Sequence, residues 1–277
     1  MMQILPNYEK GNILNLTSSI IQGLGGKSNS NELDLNLTSE IKSTKNVVLI
    51  IIDGMGEDSL QQLGKRSFLV KHHYKKLGSV FPSTTSAAIT TFLTGVSPQE
   101  HGIMSWFMYL KELEEITTVL TSRNRYDQEL NLDYKEIKFP KSIFEKIKVD
   151  SHFIIQMSLL KIKYTLNSSG KAKLYGYNSF NGMLTRINEV VKKNSSKKKY
   201  IYAYWGGFDK WCHFYGKEHA YAKEHLKQID SAIEKFSKKM KGTDSLVLIT
   251  ADHGQVTSSK KNIIFILQAQ RRFHKGF

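Results

Sequence analysis

An α/β fold, with a mostly parallel central sheet and helices on both faces, follows from three apolar runs and what comes after them. Residues 47–52, 200–205 and 245–250 are rich in β-branched and aromatic side chains, which favour strands. The first run is apolar at every position and not at every second one, the mark of a strand covered on both faces. Each run leads within a few residues to an acid: Asp53, Asp209 and Asp252. Ligands of parallel sheets gather outside the carboxyl ends of the strands. One sheet would therefore carry all three acids to one rim.

In chain order, residues 11–22 predict a short amphipathic helix closed by Gly23. A polar stretch at 27–45 is expected to loop into the first strand. A helix is expected over 57–64, then a basic surface element over 68–76. Residues 83–95 open with Ser and Thr, continue small and apolar, and close on Gly95, the start and stop signals of another helix. The segment 104–199 is the least informative. It offers a strand at 152–157, an edge strand or hairpin half at 171–177, and an amphipathic helix over 180–193. A long helix over 217–241 carries Ala222, Leu226, Ile229, Ile233 and Phe236 on one face. An edge strand is expected at 262–267.

The chain has 277 residues, enough for one large α/β domain or two small ones. Its net charge of +15 comes mainly from scattered lysines and short clusters such as 197–199 and 238–241. No arginine-rich arm or basic stretch interleaved with aromatics appears, so nucleic-acid binding is not expected. The positive field would still draw in phosphorylated substrates. The single cysteine, Cys212, excludes an intramolecular disulfide. Residues 1–20 lack the basic start and apolar core of a secretory signal, and no apolar run is long enough to span a bilayer. A soluble, cytoplasmic protein without a membrane partner is expected.

Asp209 and His213 are four apart, on one side of a turn or helical start. Asp252 and His253 are adjacent, so an irregular loop must aim both at one centre. Three carboxylates and two imidazoles form the mixed oxygen and nitrogen set that zinc or a similar transition metal accepts. Each has a plainer reading: Asp53 could cap the following helix, and a His beside an Asp is usually just hydrogen-bonded. Recurrence at three strand ends favours a shared centre. Thr85, at the start of its helix, would face unsatisfied backbone N–H groups that suit phosphate. Beside a cation its hydroxyl becomes a nucleophile. The plainer reading is that Thr84, Thr85 or Ser86 caps the helix.

The ordered motifs Asp53-Gly54, Pro82 to Thr85, Thr94 to Gly102, Asp209 to His213 and Asp252 to Gly254 resemble the type I phosphodiesterase/nucleotide pyrophosphatase family of the alkaline phosphatase superfamily. The resemblance implies a single alkaline-phosphatase-like catalytic domain over residues 1–277, incomplete at its C-terminal end. It implies two divalent ions, most simply zinc. One would be held by Asp53, Thr85, Asp252 and His253. The other would be held by Asp209, His213 and a downstream family histidine, for which His274 is the one later candidate. It further implies hydrolysis of phosphodiester or pyrophosphate bonds in small phosphorylated substrates, with Thr85 as nucleophile. The alternatives are a phosphomonoesterase and an inactive remnant that only binds phosphorylated ligands. Many family members carry, after the His-Gly pair, an asparagine that holds a phosphate oxygen; here Ser105-Trp106-Phe107 follows His101-Gly102, and Trp106 is expected in the core, with stacking on a substrate base as the alternative. The Cys-x-Pro signature of sulfatases is absent, which argues against sulfate esters.

Overall fold

The computed structural model describes residues 5–258, except 135, 136, 138, 194 and 195. Among these residues the strands are β1 (Asn46–Ile52), β2 (Phe107–Leu110), β3 (Glu115–Thr118), β4 (Arg123–Asn124), β5 (Asp150–Gln156), β6 (Lys173–Tyr177), β7 (Lys199–Trp205) and β8 (Ser245–Thr250). A five-stranded sheet runs β6-β5-β7-β1-β8, and every neighbouring pair is parallel. The three apolar runs are thus adjacent. Their ends are also level, because Ile51 pairs with Tyr204 on one side and with Thr250 on the other.

All seven residues of β1 are buried. Val47, Leu49 and Ile51 enter one core, and Val48, Ile50 and Ile52 enter the other. Two-sided burial is why the strand has no polar face. On the first side lie the helices Ile13–Gly23, Leu35–Ser43 and Thr85–Thr94. Ala87, Ala88 and Phe92 of the last of these are fully buried in that core. Phe180–Lys192 and Ala220–Met240 cover the second side, and the apolar face expected along the longer helix is buried. Lys199, at the start of β7, is buried with its ammonium donating to the carbonyls of Val190, Val191 and Lys193 at 2.9, 3.2 and 2.7 Å. It closes the C-terminal end of the Phe180–Lys192 helix, where a cation is favoured.

Three expectations change. The polar stretch 27–45 contains the helix Leu35–Ser43, started by the Asp34 carboxylate accepting from the Leu37 N–H at 2.8 Å. It buries only Leu37 and Ile41, too few apolar positions to stand out from a loop. Within 104–199, β2, β3 and β4 form a small antiparallel sheet whose strands are too short for a clear alternation. Trp106 is 40% exposed at the start of this sheet and is not core. No helix among the described residues is long and apolar enough to cross a membrane. The expected strand at 262–267 and His274 lie outside the described residues.

Candidate metal and phosphate site

Asp53 follows β1 directly and is buried. Its N–H donates to the Trp205 carbonyl at 2.9 Å, which prolongs the β1–β7 ladder by one bond. The Tyr204 hydroxyl donates to Asp53 Oδ2. Asp53 caps no helix, since the helix Glu57–Gln61 begins after Gly56 without a side-chain cap. Beyond β8, Asp252 is completely buried. The backbone N–H groups of Gly54 and His253 both donate to its Oδ1, at 3.0 and 2.9 Å. The Ser79 hydroxyl donates to the Asp252 carbonyl at 2.5 Å. Each carboxylate therefore has one oxygen engaged. The others, Asp53 Oδ1 and Asp252 Oδ2, are buried without a hydrogen-bond partner among the described residues.

His253 faces both free oxygens. Its Nδ1 meets the Gly254 carbonyl at 2.8 Å, and its Nε2 lies 3.3 Å from Asp53 Oδ1 and 3.6 Å from Asp252 Oδ2. Thr85 Oγ1 is 3.1 Å from the same Nε2. Ligand atoms of Asp53, Asp252 and His253 all lie within 4.8 Å of one another. Burial pushes the Asp252 carboxyl well above its ordinary range, and the Asp53 charge adds to the rise. Burial alone would lower the His253 imidazolium. The close approach of Asp53 and the charges of Asp252 and Asp53 outweigh it and raise the group to about 10. Two acids gathered around one imidazole, with two orphaned oxygens, fit a divalent cation of the nitrogen-and-oxygen class.

Asp209 and His213 belong to the helix Gly207–Tyr215, which starts just after β7. His213 Nε2 is 3.2 Å from Asp209 Oδ2, and the His213 side chain is largely exposed. The Gln255 amide donates to Asp209 Oδ1 at 2.6 Å. Burial, followed by the Asp53 charge, raises the Asp209 carboxyl. This pair sits beside the first group and is joined to it by Gln255 and Gly54. Gly54 has φ +71, and a Cβ there would lie 2.8 Å from both Asp209 Oδ1 and Gln255 Nε2. The structure thus brings Asp53, Thr85, Asp252 and His253 to one point, with Asp209 and His213 as a second pair on the same rim.

Thr85 is the first residue of its helix and Thr84 the residue before it; the Thr84 side chain makes no capping bond. The hydroxyl of Thr85 is turned to His253, so the capping role fails for both threonines. The first intrahelical bond runs from Ala88 N–H to the Thr84 carbonyl, which leaves the N–H groups of the first turn without helix partners. Sequence reasoning missed Ser79, Tyr204 and Gln255. Tyr204 was accessible as the last of three alternating tyrosines, Tyr200, Tyr202 and Tyr204, on one face of β7. Gln255 adjoins the Asp-His-Gly motif, and nothing local marks Ser79.

The family model for type I phosphodiesterase/nucleotide pyrophosphatase matches residues 47–272. No curated protein sequence matches the chain at a significant level. Among solved structures, murine ectonucleotide pyrophosphatase/phosphodiesterase 5, as an inactive variant in complex with AMP, aligns with a TM-score of 0.63 at 19% identity over 80% of this chain. A second structure of the murine protein gives 0.63 at 20%, and the human one 0.61 at 19%. The chain spans 60% of the length of each of these neighbours, and at such identities the likeness is one of fold. The sheet order, the five ordered motifs and the family match from the first residues of β1 to beyond Asp252 all lead to the same place: the chain belongs to the type I phosphodiesterase/nucleotide pyrophosphatase family.

Proposed function

We propose that the chain hydrolyses phosphodiester or pyrophosphate bonds of small phosphorylated substrates, with Thr85 as the nucleophile and divalent ions, zinc in the simplest case, as cofactors. The reading is carried by the Thr85 hydroxyl lying 3.1 Å from His253 Nε2, the nitrogen that also faces Asp53 and Asp252. Asp53, Thr85, Asp252 and His253 would hold one ion, and Asp209 with His213 would contribute to a second. Bound there, the cations would offset phosphoryl charge and lower the pKa of the threonine hydroxyl.

The protein's own groups set the geometry. The Gly254 carbonyl fixes the His253 ring, so that Nε2 is aimed at the threonine oxygen. Open N–H groups at the start of the Thr85 helix would receive phosphoryl oxygens. Attack by Thr85 forms an oxygen–phosphorus bond and expels the leaving alcohol or phosphate. Water then cleaves that bond and restores the hydroxyl. AMP bound to the murine neighbour makes nucleotides the first substrate class to try.

Bis-nitrophenyl phosphate should be turned over faster than the nitrophenyl monoester, which separates a diesterase from a monoesterase. Thr85→Ala should lower kcat by about three orders of magnitude or more and leave zinc uptake largely intact, because Asp53, Asp252 and His253 still offer their ligand atoms. Unchanged turnover in that variant removes Thr85 from the chemistry.

A further inference from the structure

The two buried carboxylates are oriented by different means. Backbone N–H groups of Gly54 and His253 hold Asp252 Oδ1, and no side-chain substitution removes them. Asp53 Oδ2 is held by a side chain, the Tyr204 hydroxyl. We infer that Tyr204 is a positioning residue of the cation site: its hydroxyl takes one oxygen of Asp53 and thereby turns the other toward His253 and Thr85. The inference rests on the cation reading proposed above.

Strand register puts Tyr204 where this is possible. It stands opposite Ile51, two residues short of Asp53, on the strand next to β1. Side chains lean along the strand direction, so the phenol reaches past the end of the ladder to the carboxylate. The strand is itself fastened at that residue, because the Tyr177 hydroxyl donates to the Tyr204 carbonyl. A phenol, with an ordinary pKa near 10, stays a donor across the working range. Anchors of this kind, behind a ligating group, typically change metal affinity by about 10–100-fold. Tyr202 is a built-in control. It lies on the same face of β7, is fully buried, and its hydroxyl has no hydrogen-bond partner among the described residues.

The test is zinc affinity of the full chain, stripped of metal and titrated in competition with a chromophoric chelator, for wild type, Tyr204→Phe and Tyr202→Phe. Tyr204→Phe should bind zinc about 10–100-fold more weakly, while Tyr202→Phe stays at the wild-type value. The visible spectrum of the cobalt-loaded protein should change in the first variant and not in the second. Near-ultraviolet circular dichroism of the metal-free proteins checks that all three are folded. Wild-type affinity and an unchanged cobalt spectrum in Tyr204→Phe overturn the inference, as does an equal loss in Tyr202→Phe. Wild type that takes up no zinc contradicts the cation reading itself, and the inference falls with it.

Discussion

Gly56 and Gly254 approach so closely that a Cβ on Gly56 would lie 2.4 Å from the Gly254 Cα. The contact joins the loop after Asp53 to the loop after Asp252, and it brings two acids 199 positions apart in sequence into one cluster. At Gly56 a side chain is excluded by the neighbouring backbone and not by local conformation, since its φ is not positive. Gly56→Ala must push the loops apart and should cost about 1–3 kcal/mol as overpacking, with a marked loss of zinc affinity. Gly64→Ala is the contrast. It has φ +77 with nothing within 4 Å, so a strain of about 1–2 kcal/mol should leave the site untouched. Urea unfolding and zinc titration of the two variants separate the effects; equal zinc affinity in both would show that the glycine contact does not hold the centre together.

At the scale of the element, the helix Thr85–Thr94 has the proposed nucleophile at one end and a lock at the other. Gly95, at φ +66, ends it with its N–H on the Thr91 carbonyl at 2.7 Å. Ser97 and Glu100 then form a capping box around the short helix Pro98–His101. The Ile103 N–H donates to His101 Nδ1 at 3.0 Å, so the ring carries its proton on Nε2, which reaches Thr91 Oγ1 at 3.2 Å. The Thr94-to-Gly102 motif is therefore a structural clamp on the helix that presents Thr85. Burial pushes the His101 imidazolium down to about 4, against about 6.5 when unfolded. Between those values the unfolded chain binds a proton that the folded one rejects. The stabilisation is thus complete above pH 6.5 and is lost as pH falls toward 4, by about 2–3 kcal/mol at pH 4.5. His101→Gln cannot titrate, so the stability gap between wild type and variant should narrow over that window in urea melts. Parallel acid limbs for the two proteins would refute the clamp's titration.

Across the whole molecule, the sequence announced what burial on two faces and carboxyl-end placement can announce. Residues 47–52 read as a covered strand, and three acids after three such strands implied a rim. Adjacency of β7, β1 and β8 was not legible, because nothing in one strand names its neighbour. Tyr204 escaped notice for a similar reason: its task depends on reaching across to Asp53, a partner set by sheet order. Leu35–Ser43 and the β2–β4 sheet were missed because they bury too few side chains to leave a period. Asp209 and His213 were read as sharing one side of a turn or helical start, and the helix Gly207–Tyr215 is the second of these. What the assembled rim is proposed to do, double displacement at phosphorus through Thr85, leaves a stereochemical record. Hydrolysis of a phosphodiester made chiral at phosphorus with sulfur, in isotopically labelled water, measures it directly. Two successive in-line attacks, the first by Thr85, predict retention of configuration; inversion would mean that water attacks the substrate directly and would contradict the account.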